Sequence, residues 1–482
     1  MPPRAGVDWP VAILGVPFDP VTTGEAIQRI DAMIATRLPH YVVTANVDFL
    51  VQAHRDVELR RILLEADLVL CDGTPVLWAS RWLGNPLPER VAGSDLAPAL
   101  LAAAAEKGHR VFLLGAADGV AALAAERIAQ QYPKLKVVGH FAPPFSPLLE
   151  MNHEETVQRV QAARPDILLV SFGCPKQEKW IAMHYRALGV PVAIGVGATL
   201  DFLAGRIKRA PDWMRRTGTE WVYRLSLEPK RLYKRYADDL VCFLPSLARQ
   251  WVHLDRGCKH SADQPEVSAR EKGWSTITAG EQLTRRTLQQ QAPFWSSVQR
   301  LPAHCLFDLA QVRAVDATGV AFLIRWRKSL LQGGHHLVLL APSRALQRVM
   351  RSLKLTEHFL IVATATEAEK MASTLFTPRT FQREGETRSL SWCGEITAAN
   401  VNEVRQMMED HLQVFATSQT NVIIIDLAQL RFIDSSGAAL MLRLKRAARA
   451  LRVEVLFCRP QASIRNVLRL TRTDQLLLES GQ

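Results

Sequence analysis

The sequence predicts an α/β protein: a mostly parallel sheet with crossover helices, followed by two small copies of one further α/β unit. Three observations carry this reading. Apolar runs without alternation recur between amphipathic helical patterns as far as about residue 200. The texture then turns basic and aromatic. Further on, residues 307–330 align without gaps with residues 425–448, at a constant offset of 118.

The apolar runs are residues 11–16, 41–46, 66–73, 110–116, 135–140, 166–173 and 190–197. Such runs suit strands buried on both faces, as in a parallel sheet covered by helices. Helices are expected at 21–36, 94–107, 119–131 and 175–187, which makes the first half Rossmann-like. Residues 206–236 hold ten Lys and Arg against three Asp and Glu, with Trp213, Trp221, Tyr223, Tyr233 and Tyr236 among them. A polar stretch at 255–273 reads as a linker.

Length and composition bound the function. A chain of 482 residues is too long for one core. A net charge of +12 suits an anionic membrane, a nucleic acid or a phosphorylated ligand. The seven cysteines are scattered, odd in number and without a C-x-x-C, which disfavours a zinc site or a disulfide framework. No signal-peptide pattern opens the chain, and no stretch reaches 18 consecutive apolar residues. A cytoplasmic protein, peripheral to the inner face of the cytoplasmic membrane, is the expectation.

Ligands of parallel α/β sheets bind beyond the carboxyl ends of the strands. Thr44 and Asn46 close the second run, Asp72 and Gly73 the third, and Gly115 the fourth. Arg90 follows in RWLGNPLPERVAGSDL, and Gln177 lies in SFGCPKQEKW. Asp-Gly is also a common turn, and Asn and Thr also cap helices, so position alone leaves both roles open.

The segments TANVDFL, LVLCDGTPVLW, RVAGSDL, FLLGAADG, SFGCPKQEKW and GVGATLDFLAG, in that order, resemble the WecG/TagA/CpsF glycosyltransferases over about 240 residues. The resemblance implies transfer of an N-acetylmannosamine-type or related hexose from a nucleotide-diphosphate sugar to a polyprenyl-diphosphate-linked sugar. It makes Asp72 the general base, with Thr44 and Arg90 catalytic beside it and Gln177 in the same pocket. Asn46 and Gly115 are expected to bind substrate from their place at the strand ends. It also makes the basic segment after Gly205 an appendage that completes the site and docks on an anionic membrane. There Arg224 and Arg231, seven apart on a helix, would meet a diphosphate. The sequence contains no D-x-D, so no metal and no other cofactor is expected. A nucleic-acid partner is not, since no helix-turn-helix or RNA-binding signature is present.

The duplicated unit reads strand, loop, helix, with D-S-S-G at 434–437 and D-A-T-G at 316–319. It resembles the STAS domain. That resemblance implies docking to a protein partner or a kinase and makes Ser436 and Thr318 regulatory phosphosite candidates. The expected boundaries are a transferase domain at 1–255 with its appendage at about 205–255, a linker at 256–272, a first copy at 273–376, a linker at 377–388 and a second copy at 389–482. The two copies carry no catalytic constellation, so they are expected to be dispensable for chemistry. Two rival readings are weaker. A signalling scaffold with an inactive transferase half conflicts with intact Thr44, Asp72, Arg90 and Gln177. A dinucleotide oxidoreductase lacks a G-x-G-x-x-G after the first run.

Overall fold

A computed structural model describes residues 9–207, 209–211, 213–214, 219–227, 229–254, 264–271, 274–299, 301, 303–368, 382–384, 387–416 and 422–478. The first apolar run does not join the main sheet. It folds into a two-stranded antiparallel hairpin, β1 (Val11–Ile13) and β2 (Val16–Phe18). Its turn residues Leu14 and Gly15 both have positive φ, 49° and 86°. Two positive φ values are the mark of a two-residue type I′ turn, which ends a strand at once.

The remaining runs build a six-stranded sheet, parallel throughout. In chain order the elements are α1 (Thr23–Thr36), β3 (His40–Ala45), α2 (Val47–Arg55), α3 (Val57–Glu65), β4 (Leu68–Cys71), α4 (Thr74–Trp82) and α5 (Gly93–Lys107). They continue with β5 (Arg110–Gly115), α6 (Val120–Gln131), β6 (Lys136–Phe141), α7 (His153–Ala163), β7 (Ile167–Ser171), α8 (Lys176–His184), β8 (Val192–Gly195) and α9 (Thr199–Leu203). The strand order is β4-β3-β8-β7-β5-β6. Every residue of β4, β7 and β8 is buried, as unalternating runs require.

The basic segment forms α10 (Glu220–Leu227) and α11 (Pro229–His253). Asp239, Phe243, Leu247, Gln250 and Leu254 are the buried stripe of α11 and its end, at helical spacing. The Gln250 amide donates to Ala12 O at 2.7 Å and accepts from Leu14 N–H at 2.8 Å, clasping α11 to the hairpin.

Both repeats have the same plan. The first contains β9 (Glu266–Glu271), β10 (Trp274–Thr278), β11 (Gln282–Leu283), α12 (Arg285–Gln290), α13 (Ala292–Val298), β12 (His304–Asp308), β13 (Ala314–Val315), α14 (Ala317–Gln332), β14 (Leu337–Leu340), α15 (Arg344–Ser352) and β15 (Leu360–Val362). The second contains β16 (Gln382–Glu384), β17 (Thr387–Ile396), α16 (Val401–Ala416), β18 (Val422–Ile433), α17 (Ser435–Ala450), β19 (Glu454–Cys458) and α18 (Ala462–Leu470). Each sheet opens with an antiparallel edge strand and is otherwise parallel. Those edge strands, β9 and β16, fall inside the two stretches expected to be linkers. Their sequences are polar because an edge strand needs no continuous apolar run.

The repeats are not a detachable tail. Helix α14 is buried almost all round: one side meets its own sheet, and the other meets β1, β2 and α3. One hydrophobic cluster runs from Trp9, Val11 and Phe18 through Phe322 and Trp326 to Phe359. The rings of Trp9 and Phe322 meet edge to face at 5.1 Å. Around this core Arg325 pairs with Asp19 at 2.6 Å and Lys328 with Asp67 at 2.5 Å. Where all three units meet, Arg61 of α3 lies 2.8 Å from Glu65 and 2.5 Å from Glu395 of the second repeat. Arg327 of the first repeat approaches the same two carboxylates at 3.7 and 3.9 Å. Burial alone would raise the Glu395 carboxyl, but Arg61 and Arg327 hold it down to about 2.

This architecture reverses the expectation that the first half stands alone. Cutting the chain near residue 260 uncovers one side of Trp9, Val11, Val16 and Phe18. Burying a large apolar side chain contributes about 1.5–3 kcal/mol, so even partial exposure of four approaches a domain's whole stability of roughly 5–15 kcal/mol. The fragment should aggregate, or melt at least about 10 °C below the full chain. Light scattering and thermal melting of both proteins check this, and a soluble fragment melting at the full-chain temperature would refute it.

Candidate active site

The carboxyl ends of β4, β3, β8 and β7 stand side by side and present loops 72–73, 44–46, 195–197 and 171–177 to one region. Thr44, 5 % exposed, donates its hydroxyl to Gly195 O at 3.3 Å. The N-terminus of α5 lies over it: a Cβ on Gly93 would come within 3.1 Å of the Thr44 hydroxyl oxygen. Asp72 is half-buried, with its N–H bonded to Ala45 O at 2.9 Å. The Val91 N–H bonds to Cys71 O at 2.8 Å and so fixes Arg90 beside the Asp-Gly turn. The Cys71 thiol registers both neighbours. Burial, and then the Asp72 charge, push it up to about 12, while Arg90 opposes them.

Thr44, Asp72 and Arg90 are therefore brought together. Arg90 is held at both ends of its fork, by Asp95 at 2.7 Å and Glu220 of α10 at 3.4 Å. Asp95 also pairs with Arg209, which in turn reaches Ser94 at 3.3 Å. The appendage thus closes over the site through Arg209 and Glu220, two residues that sequence reasoning did not single out. Glu220, one of three acids among ten bases at 206–236, was the available signal.

The remaining candidates play different parts. Asn46 caps α2, accepting the Phe49 N–H at 3.3 Å. Gly115 has φ 99°, and a Cβ there would sit 2.6 Å from Ser171 O, so it permits close packing of two strand ends. Gln177, 1 % exposed, is fully engaged: its carbonyl accepts Gly173 N–H at 3.2 Å and Gly197 N–H at 3.1 Å. Its amide donates to Glu178 at 2.7 Å. It ties together the loops after β7 and β8. Glu178, also missed, is buried beneath this tie, and burial raises its carboxyl to about 7. The side chains of Arg224 and Arg231 lie outside the described residues.

Thr318 and Ser436 stand at helix starts as the repeat motif implied, but both are covered. Thr318 is 0 % exposed and lies 3.3 Å from Asn85 of the first half. Ser436 is 7 % exposed. In this arrangement a kinase reaches neither.

A carboxylate at a strand end of a parallel sheet, with a guanidinium fixed beside it from the following loop, suits group transfer to or from anionic substrates. The chain belongs to the glycosyl transferase WecG/TagA/CpsF family, whose profile matches residues 11–257, and the STAS domain profile matches residues 269–368 and 381–479. It is a glycosyltransferase fused to two STAS domains. N-acetylglucosaminyldiphosphoundecaprenol N-acetyl-beta-D-mannosaminyltransferase of Staphylococcus aureus strain MRSA252 is 33 % identical over 224 residues, covering 46 % of this chain and 86 % of that protein. The same enzyme from strain NCTC 8325 / PS 47 gives the same figures. Among solved structures, the unphosphorylated anti-sigma factor antagonist SpoIIAA is 22 % identical, covering 21 % of this chain and 90 % of its own, with a TM-score of 0.18.

If Asp72 is the base, Asp72→Asn should keep the fold and lower kcat by about 10²- to 10⁴-fold. Steady-state kinetics beside a thermal melt test this. A folded variant that turns over like wild type would remove Asp72 from the chemistry.

Proposed function

We propose that this enzyme transfers an N-acetylmannosamine-type or related hexose from a nucleotide-diphosphate sugar to a polyprenyl-diphosphate-linked sugar, in cell-surface polysaccharide synthesis. The activity named for the Staphylococcus aureus relatives supports both substrate classes. The observation that carries the chemistry is Asp72 at the end of β4, next to Thr44 on β3 and Arg90 across the turn. A sugar hydroxyl has a pKa far above 7 and needs its proton taken as the bond forms. Asp72 is the base in this reading, and Thr44 and Arg90 orient the reacting sugar and meet the diphosphate. Arg209 joins them from the appendage. Among the described residues no group of three or more His, Cys, Asp or Glu is arranged to hold a metal.

The test is a donor screen. The full chain is incubated with a short-chain lipid-diphosphate-sugar and a panel of nucleotide sugars, with and without a chelator, and products are read by mass spectrometry. The expected product is the acceptor plus one N-acetylhexosamine, formed at the same rate with chelator. Absence of transfer from every donor contradicts the substrate assignment, and a reaction restored only by magnesium or manganese contradicts arginine-based charge neutralisation.

The membrane is the proposed site of action. No helix among the described residues is long and apolar enough to cross a bilayer. The outer face of α11 nevertheless exposes Tyr233, Leu240, Val241, Leu244 and Val252. Trp78 and Trp82 of α4 are exposed too, and Trp82 lies 5.8 Å from Trp251 ring to ring. An apolar ridge on a basic helix suits the headgroup boundary of an anionic leaflet. Excising the whole segment would also remove core residues Phe243 and Leu247, so point changes are the cleaner probe. Leu240→Ser with Val241→Ser and Leu244→Ser should keep the fold and reduce sedimentation with anionic liposomes by at least about tenfold, since losing even one inserted apolar side chain costs about 1.5–3 kcal/mol. Unchanged liposome binding would exclude this face.

A further inference from the structure

The second STAS domain meets the transferase through the motif that the sequence singled out, but with the other serine. Ser435, 0 % exposed, donates its backbone N–H to one oxygen of Glu58 at 2.5 Å and its hydroxyl to the other at 2.8 Å. Glu58 is as deeply buried. Its remaining partner is Lys179, whose ammonium lies 2.8 Å from Glu58 and 2.7 Å from Asp56. Asp56 caps α3 by accepting the Leu59 N–H at 3.0 Å. The line therefore runs from the STAS domain, through the first turn of α3, to Lys179 in the first turn of α8.

That turn also carries Gln177 and Glu178. Gln177 holds the loops after β7 and β8, and Gly195, at the head of the second loop, accepts the Thr44 hydroxyl. The far end of α8 touches the same STAS domain: Met183 and His184 share a cavity of about 300 Å³ with Ala439, Leu442 and Arg443 of α17. Helix α8 is thus linked to the second STAS domain near both ends, through Glu58 at its first turn and directly at its last. Buried carboxylates must find donors, and Glu58 receives two of its three from Ser435. Were the STAS domain to leave, Glu58 and Lys179 would be re-solvated and the first turn of α8 would lose its register.

We infer that Ser435 is a positioning residue for the transferase site, acting through Glu58 and Lys179 on α8, so that docking of the second STAS domain sets turnover. This rests on the assignment of the site to the ends of β3, β4, β7 and β8. The STAS motif is then occupied by the chain's own catalytic domain. Anything that puts negative charge on this motif, or competes for it, acts on the enzyme in cis.

The experiment uses the full chain. Ser435→Asp sets a carboxylate against the buried Glu58, and Glu58→Gln in the same chain supplies an amide that can donate to it. Hydrogen exchange of amides 176–184 and 41–45 is followed together with kcat and KM. Ser435→Asp should speed exchange in α8 by at least about tenfold while β3 stays protected, and lower kcat by about tenfold with KM changed less, on the scale of one lost charge-assisted hydrogen bond. The double variant should recover both to within about threefold, the non-additivity expected of residues in contact. If Ser435→Asp does not fold, Ser435→Ala gives the same signs at smaller size. Wild-type exchange in α8 for either variant overturns the coupling, and so does loosened α8 with undiminished kcat or a loss that Glu58→Gln fails to repair. Failure of the wild-type chain to transfer any sugar sinks the substrate reading instead, and the exchange measurement still decides the coupling.

Discussion

The arrangement of the whole chain depends on one buried cluster of charge. Arg61 and Glu65 come from the transferase, Arg327 from the first STAS domain and Glu395 from the second. Arg61 also lies over the ring of Phe432, 4.3 Å from its centre. Each of the three units supplies at least one charge of this cluster. Desolvating such ions costs several kcal/mol each, so the cluster adds little net stability. Removing the second STAS domain alone takes Glu395 away and leaves Arg61 and Arg327 against Glu65, which is strongly unfavourable. The cluster therefore acts as a register key, and the apolar faces around Trp9, Phe322 and Trp326 supply the driving force.

This separates two roles within a duplicated domain. The first copy is absorbed into the transferase core, with 11 of the 16 residues of its α14 buried. The second copy keeps an amphipathic α17 and its own hydrophobic core. It touches the catalytic domain through a mixed surface, with Ser435 against Glu58, Arg61 over the Phe432 ring and Val57 against its core. A dry, apolar contact suits permanent assembly, and a hydrogen-bonded, charge-sensitive one suits control.

Much of this was legible in the residues. Unalternating runs located all six sheet strands; burial on both faces leaves that pattern in five of them, while β6 is a half-exposed edge strand. Thr44 and Asp72 stand at strand ends, and Arg90 in the loop before α5, as their sequence positions implied. The hairpin at 11–18 was misread because a two-residue turn with positive φ hides inside an apolar run. Strands β9 and β16 were missed because edge strands tolerate polar sequence. Gln177 was read as a pocket residue, yet an amide serves a ligand and two backbone N–H groups equally well in sequence. The docking of the repeats left a trace in α14, where AFLI (321–324) and Trp326 spread apolar residues wider than one buried stripe requires. What that helix packs against is a tertiary fact, and so is the partner of Glu58, which in sequence looks like one more charge on a surface helix.

The central claim is that transferase and STAS domains fold as one body rather than as beads on a string. Calorimetric unfolding of the full chain tests it most directly. A shared core and a shared charge cluster predict a dominant single transition whose calorimetric and van't Hoff enthalpies agree. Separate transitions, with the transferase melting unchanged after the STAS domains have unfolded, would contradict it.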